Sequence, residues 1–239
     1  MFEFFFDPIW LLCAVVLFLG CTLQTALGFG MAVFSAPIFV FVRPEWVPFV
    51  LTSTALIISL ANAQDLRAHV QLQRLAPAFL SRIPGTLLGV YLLTVINVTW
   101  LQVMVAVSVM IAVAISFFTI HFRATPARLG WAGFISGVMG TTTSIGGPPM
   151  ALVMQFDIPQ RVRANLAVYF VYSCLLSLVS FALGGLFTLE LVYACLSFVV
   201  PGMLGFVCGR RLQSCVSQAR FRPMLLILCA LSASTALAG

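Results

Sequence analysis

Two short stretches concentrate the residues that could do chemistry. The first is Gly28-Phe29-Gly30, leading to Pro37. The second is Gly140 followed by Thr141-Thr142-Thr143-Ser144-Ile145-Gly146-Gly147-Pro148-Pro149. Consecutive hydroxyls, glycines that allow close backbone approach, and prolines without an N–H describe a helix that stops and restarts. A half-helix beginning at such a break presents unpaired N–H groups and the positive end of its dipole, which together bind anions. Pro149 falls in the first turn of the following half-helix, where a missing N–H costs little. The expected binding set is Gly140, Thr141, Thr142, Thr143, Ser144, Gly146 and Gly147, with Gly28, Gly30 and Ser35 as first-stretch counterparts. Gln24, one turn before the first break, either contacts substrate or bonds to a neighbouring helix. Pro37, Pro148 and Pro149 mark the structural breaks.

Other chemistry finds no support. The six carboxylates (Glu3, Asp7, Glu45, Asp65, Asp157, Glu190) fall near segment ends, and His69 and His121 are far apart at segment edges. The seven cysteines show no CxxC or Cys/His spacing. No nucleophile–base pair or metal triad can be assembled, so neither an enzyme nor a cofactor is expected. With no carboxylate mid-membrane, a bound anion would rest on backbone amides and hydroxyls.

The elements that position these stretches follow from composition. The chain of 239 residues is 62% hydrophobic and 8% charged, against about 25% charged in a soluble domain. So few charges cannot cover a soluble surface, and so many apolar residues exclude disorder. The apolar runs are long and unbroken, unlike the alternation of an outer-membrane barrel. A crossing needs about 20 apolar residues, and 47–63, 75–96, 101–120, 164–187, 189–207 and 223–237 read as spans. Stretches 9–42 and 129–156 contain the breaks; 129–140 as helix would reach only about 18 Å.

The two broken stretches repeat one pattern. Gly28 precedes Pro37 by nine residues and Gly140 precedes Pro149 by nine, at an offset of 112. Pro84-Gly85 and Pro201-Gly202, at an offset of 117, are expected to open matching helices. The chain thus divides into repeats 1–121 and 122–239, each a broken hairpin plus three helices. If each hairpin returns to its own side, Arg67, Arg74, Arg82, Arg123, Arg128, Arg161, Arg163, Arg210, Arg211, Arg220 and Arg222 share one side, with only Arg43 opposite. Eight single crossings would divide the arginines five to seven, without bias. The positive-inside rule selects the hairpins and puts both termini outside. Three crossings invert the second repeat relative to the first. The fold expected is an all-α polytopic membrane protein of two inverted repeats, an organisation typical of secondary transporters.

Three further patterns concern packing. Asn165, Tyr169, Ser173, Ser177 and Ser180 share one helix face, which either lines a substrate path or joins helices. Gly85/Gly89, Gly133/Gly137 and Gly205/Gly209 are GxxxG pairs that mark close helix contacts, within one chain or between two copies. Arg82, just before Pro84, is read as slightly inside the membrane and snorkelling to its surface; drawing in anions is the alternative. The net charge of +6 is topological, so no nucleic-acid partner is expected.

At both breaks the sequence resembles the sulfite exporter TauE/SafE family. Gly28-Phe29-Gly30 through Pro37, and Gly137 with 140–149, carry the resemblance, and Pro84-Gly85 and Pro201-Gly202 fit the family's second recurring feature. The resemblance implies movement of a small sulfur-containing or related organic anion across a bacterial inner membrane. The expected partners are that anion and the lipid bilayer; a homodimer, and proton or sodium as coupling ion, stay open. The expected site lies near the midplane, where the breaks meet and residues 141–144 and backbone amides hold the anion. An anion channel and a non-transporting membrane scaffold are the alternatives.

Overall fold

A computed structural model describes residues 7–117 and 124–213. Among them all regular structure is helical: α1 (Pro8–Leu27), α2 (Met31–Val42), α3 (Val47–Asp65), α4 (Leu72–Val95), α5 (Val98–Phe117), α6 (Pro126–Thr143), α7 (Gly147–Met154), α8 (Pro159–Leu183), α9 (Leu189–Ser197) and α10 (Val199–Leu212). Five stretches are long and apolar enough to cross a membrane: Pro8–Leu27, Pro44–Asp65, Leu72–Val95, Pro159–Leu183 and Leu189–Leu212. The burial pattern agrees, because Leu183 and Leu80 are 85% and 70% exposed while Ser136, Thr141, Thr142 and Thr143 are fully buried. Apolar residues outside and polar ones inside suit a lipid solvent. The expected span 223–237 and the repeat boundary at 121–122 lie outside the described residues.

Both breaks fold back as hairpins. The Asp7 carboxylate caps α1 by accepting from the Ile9 N–H at 3.0 Å. The helix ends at Gly28, whose φ of 94° is the left-handed region that glycine alone adopts freely. Then α2 runs back along α1: Ser35 Oγ donates to the Val16 carbonyl at 3.4 Å, and Arg43 returns to within 3.9 Å of Asp7. In the second hairpin α6 starts on a Thr125 cap and ends at Ser144, the one non-glycine with positive φ (61°) among the described residues. Ser136 Oγ on α6 donates to the Gly146 carbonyl at 2.6 Å, tying the start of α7 back onto α6.

The hairpins enter from opposite ends. The mouth of the first holds Asp7, Arg43 and Glu45. From there α3 spans the bundle to Asp65, which pairs with Arg210 at 3.0 Å. The mouth of the second lies at this far end, where Asp157 pairs with Arg74 at 3.2 Å and Arg161 at 3.7 Å. Packing is reciprocal: α4 lies along α6, α10 along α1, and α3 along α8. The glycine pairs make the close approaches within this one chain. A Cβ on Gly137 would lie 2.8 Å from the Gly85 Cα, and one on Gly209 would lie 2.5 Å from the Thr22 carbonyl oxygen.

Three local expectations need correction. Pro37 does not break the chain; α2 runs through it, and the break is confined to residues 28–30. Residues 141–143 continue α6, whose 18 residues span about 27 Å rather than half a membrane. Pro84-Gly85 opens no helix, because α4 begins at Leu72 and carries both residues in its interior. Pro148 and Pro149 do sit in the first turn of α7.

Candidate functional site

The two breaks meet around a small cavity of about 40 Å³, room for about three waters or one small anion. Gly30 to Val33, the first turn of α2, form one wall; Gly140, Ser144, Gly146 and Gly147 form the facing wall. Two helix N-termini, one from each expected repeat, thus reach one space. Their first-turn amides have no acceptor within their own helices, and their dipoles add positive potential. Gly30, at φ 120°, has open space where a Cβ would stand, so a ligand can approach its backbone.

Between these walls lies a charge expected only slightly inside the membrane. Arg82 is 2% exposed and lines the cavity. It stands ten residues after Leu72, about 15 Å along α4, half of a hydrocarbon layer about 30 Å thick. It does not snorkel. Its Nη1 donates to the Ser136 carbonyl and, at 3.0 Å, to Ser136 Oγ; its Nη2 donates to Ser177 Oγ at 3.2 Å. Its Nε is buried without a partner, and among the described residues no carboxylate pairs with it. Buried charges are ordinarily paired, because desolvating a lone ion is expensive. The neighbouring serines supply dipoles but no opposite charge.

The sequence-derived candidates divide at this point. Gln24, Gly30, Gly140, Ser144, Gly146 and Gly147 line the cavity. The hydroxyls of residues 141–143 are engaged elsewhere. Thr142 Oγ1 donates to the Val138 carbonyl at 2.9 Å and Thr143 Oγ1 to the Met139 carbonyl at 2.7 Å, as helical threonines commonly do. Thr141 Oγ1 meets Ser177 Oγ at 3.0 Å, one bond removed from Arg82. Ser144 Oγ donates to the Val47 carbonyl and meets Thr52 Oγ1, both at 2.9 Å. Gly28 stands under the stem of Arg163, and Ser35 bonds within the first hairpin.

The polar face of α8 both joins neighbouring elements and lines the cavity. Asn165 accepts from the Gln71 N–H at 2.8 Å, and Ser177 takes Arg82 and Thr141. Ser173 lines the cavity, 3% exposed, with a hydroxyl that has no partner. Thr52 and Phe170 also line it, and neither was a sequence candidate. Thr52 sits in a span without local punctuation, and Phe170 is one of 22 phenylalanines.

A family model described as "Sulfite exporter TauE/SafE" matches residues 12–235, nearly the whole chain. The chain belongs to the TauE/SafE family. Comparison with curated proteins and with solved structures returned no match. TauE/SafE proteins are a family of membrane transporters, which agrees with the apolar helices and points away from an enzyme. In this TauE/SafE chain both hairpin breaks and Arg82 surround one cavity.

Proposed function

We propose that this chain is a secondary transporter of a small anion, sulfur-containing or organic, such as sulfite or a sulfonate. The observation that carries this reading is Arg82, a buried guanidinium with no carboxylate partner among the described residues, lining a cavity between two helix N-termini. An intramembrane ionisable residue is by default a functional-site candidate, and a guanidinium fork matches the oxygens of an oxyanion. The anion supplies the missing negative charge. Nε of Arg82, the Ser173 hydroxyl and the first-turn amides of α2 and α7 complete its coordination.

The same geometry supports a reading of alternating access. The hairpins enter from opposite ends and both contribute to the site. Rocking of repeat 1–121 against repeat 122–239 would open it to each side in turn. A channel would need a continuous polar path, whereas Phe29 and Phe170 interrupt the lining here. The positive-inside rule favours a cytoplasmic arginine-rich end; with the expected span 223–237 both termini would then be periplasmic, in the bacterial inner membrane that the family resemblance implies.

The test is flux into proteoliposomes with sulfite, thiosulfate, sulfoacetate, short carboxylates and chloride under imposed proton or sodium gradients. Saturable sulfite or sulfonate flux that Arg82→Gln abolishes is expected. Equal flux in wild type and Arg82→Gln would remove Arg82 from the site and the reading with it.

A further inference from the structure

A second cavity adjoins the first. It holds about 10 Å³, room for about one water. Gln24 and Phe170 belong to the walls of both cavities, so the Gln24 amide and the Phe170 ring form the partition between them. Beyond the partition the wall is polar: Thr25, Ser59, Asn62 and Arg163. Gln24, Thr25, Ser59 and Asn62 are each more than nine-tenths buried. Their mutual bonds are long. Gln24 Nε2 donates to Ser59 Oγ at 3.5 Å and Asn62 Nδ2 to Thr25 Oγ1 at 3.5 Å, near the limit of a hydrogen bond. Asn62 Nδ2 makes a shorter bond, 2.9 Å, to the Ile58 carbonyl, so the long contact left on this wall is the one that joins the Gln24 amide to Ser59.

Arg163 edges this cavity. Its Nη1 donates to the Ala26 carbonyl at 3.4 Å, and its Nε is buried without a partner. Among the described residues no carboxylate pairs with it. The first break makes room for it: a Cβ on Gly28 would lie 2.9 Å from Arg163 Cγ. Leu66, on the wall, adjoins Asp65 and Arg67, so the cavity faces the arginine-rich end. The Phe170 ring reaches the other way, its Cζ 3.2 Å from where a Cβ on Gly147 would stand. The ring thus sits between the α7 N-terminus and Arg163.

We propose that the Phe170 ring is an inward gate to the Arg82 cavity and that Arg163, on its far side, draws a small oxyanion up to the closed ring; the second cavity, with room for one water, marks the line along which the path opens. This rests on the transport reading for the nature of the cargo; the gate itself is tested without it. A cation on each side of an apolar ring favours an anion at both faces of the gate, while the closed ring blocks leakage. Rotation of one aromatic side chain and the Gln24 amide is the smallest movement that joins the cavities.

Cys174 reports on the gate because it lines the first cavity and not the second. A sulfonate-bearing methanethiosulfonate and its ammonium-bearing analogue are applied to the arginine-rich side of oriented membrane vesicles holding the full chain. Modification of Cys174 is followed by mass spectrometry. Phe170→Ala is expected to speed modification about tenfold, as removal of a modest barrier does. Phe170→Leu, which keeps apolar bulk and guards against a folding artefact, is expected to retain the wild-type rate. Arg163→Gln is expected to slow the anionic reagent about fivefold and spare the cationic one. An unchanged rate in Phe170→Ala, a Phe170→Leu rate as high as that of Phe170→Ala, or equal effects on both reagents in Arg163→Gln would overturn the proposal. Protection of Cys174 by sulfite, lost in Arg82→Gln, reports separately on the transport site. Its absence alongside intact Phe170 and Arg163 effects would sink the cargo assignment and leave the gate standing.

Discussion

A Cβ on Gly140 would stand 2.8 Å from Nη1 of Arg82. The missing side chain at 140 is what lets the guanidinium lie against α6 and reach the break. The two nearest atoms are the far end of the flexible Arg82 side chain, and the Gly146 Cα, at 3.1 Å, needs to give by only a few tenths of an ångström, so Gly140→Ala is expected to fold and to displace the guanidinium. The outcome to look for is a sulfite KM raised about fivefold, the scale of about 1 kcal/mol of lost interaction, with thermal stability close to wild type. Unchanged KM would show that the guanidinium position is not critical.

Arg82→Lys separates charge from shape. The ammonium keeps the positive charge but loses the planar fork. Its expected sulfite affinity lies between wild type and Arg82→Gln, with Arg82→Gln weaker than wild type by about 10- to 100-fold, the scale of a charged hydrogen bond of about 1.5–3 kcal/mol. Equal defects in Lys and Gln would assign the effect to the fork alone. Titration of purified protein by calorimetry makes the comparison.

Ser173→Ala and Thr143→Val form a contrasting pair. The Ser173 hydroxyl is buried, unpartnered and on the cavity wall, so its loss removes no bond from the empty protein. Ser173→Ala is expected to weaken anion binding about fivefold without lowering the Tm. The Thr143 hydroxyl instead donates to the Met139 carbonyl and accepts from the Ile145 N–H at 3.3 Å. Thr143→Val is expected to leave affinity unchanged and lower stability by about 1 kcal/mol. The reverse pattern would return the threonine to the site.

Gly209→Val tests the close approach of α10 to α1. The added branches would meet the Thr22 carbonyl and the Thr25 side chain, backbone and buried atoms that cannot simply move aside. A loss of folded protein on size-exclusion chromatography is expected, since overpacking of this kind costs about 1–3 kcal/mol or more. A stable, monodisperse Gly209→Val protein would contradict this packing.

Much of the architecture was legible because it depends on local or summed properties. Clustered glycines free the backbone where they stand, so the breaks near 28–30 and 144–146 could be read directly, whereas the single prolines Pro37 and Pro84 lie inside continuous helices. The arginine distribution implied hairpins that return to their own side. The mouths at Arg43 and at Arg74, Asp157 and Arg161 show that they do. The GxxxG pairs likewise announced close helix contacts, and the structure adds that these are made within one chain.

What the sequence by itself determined, then, is where the backbone breaks, which way the chain turns there, and that the whole lies in lipid. Only the tertiary structure decided which polar groups reach the cavity. The hydroxyls of Thr142 and Thr143 are spent on their own helix, a local competition that type and spacing do not reveal. Arg82 looked peripheral because Pro84-Gly85 resembled a helix start. With α4 beginning at Leu72 it lies mid-bundle, and packing against Gly140, Ser136 and Ser177 makes it the interior charge of the site. An arginine's depth depends on where its helix begins and what lies across from it, and both are set by contacts between residues far apart in the chain.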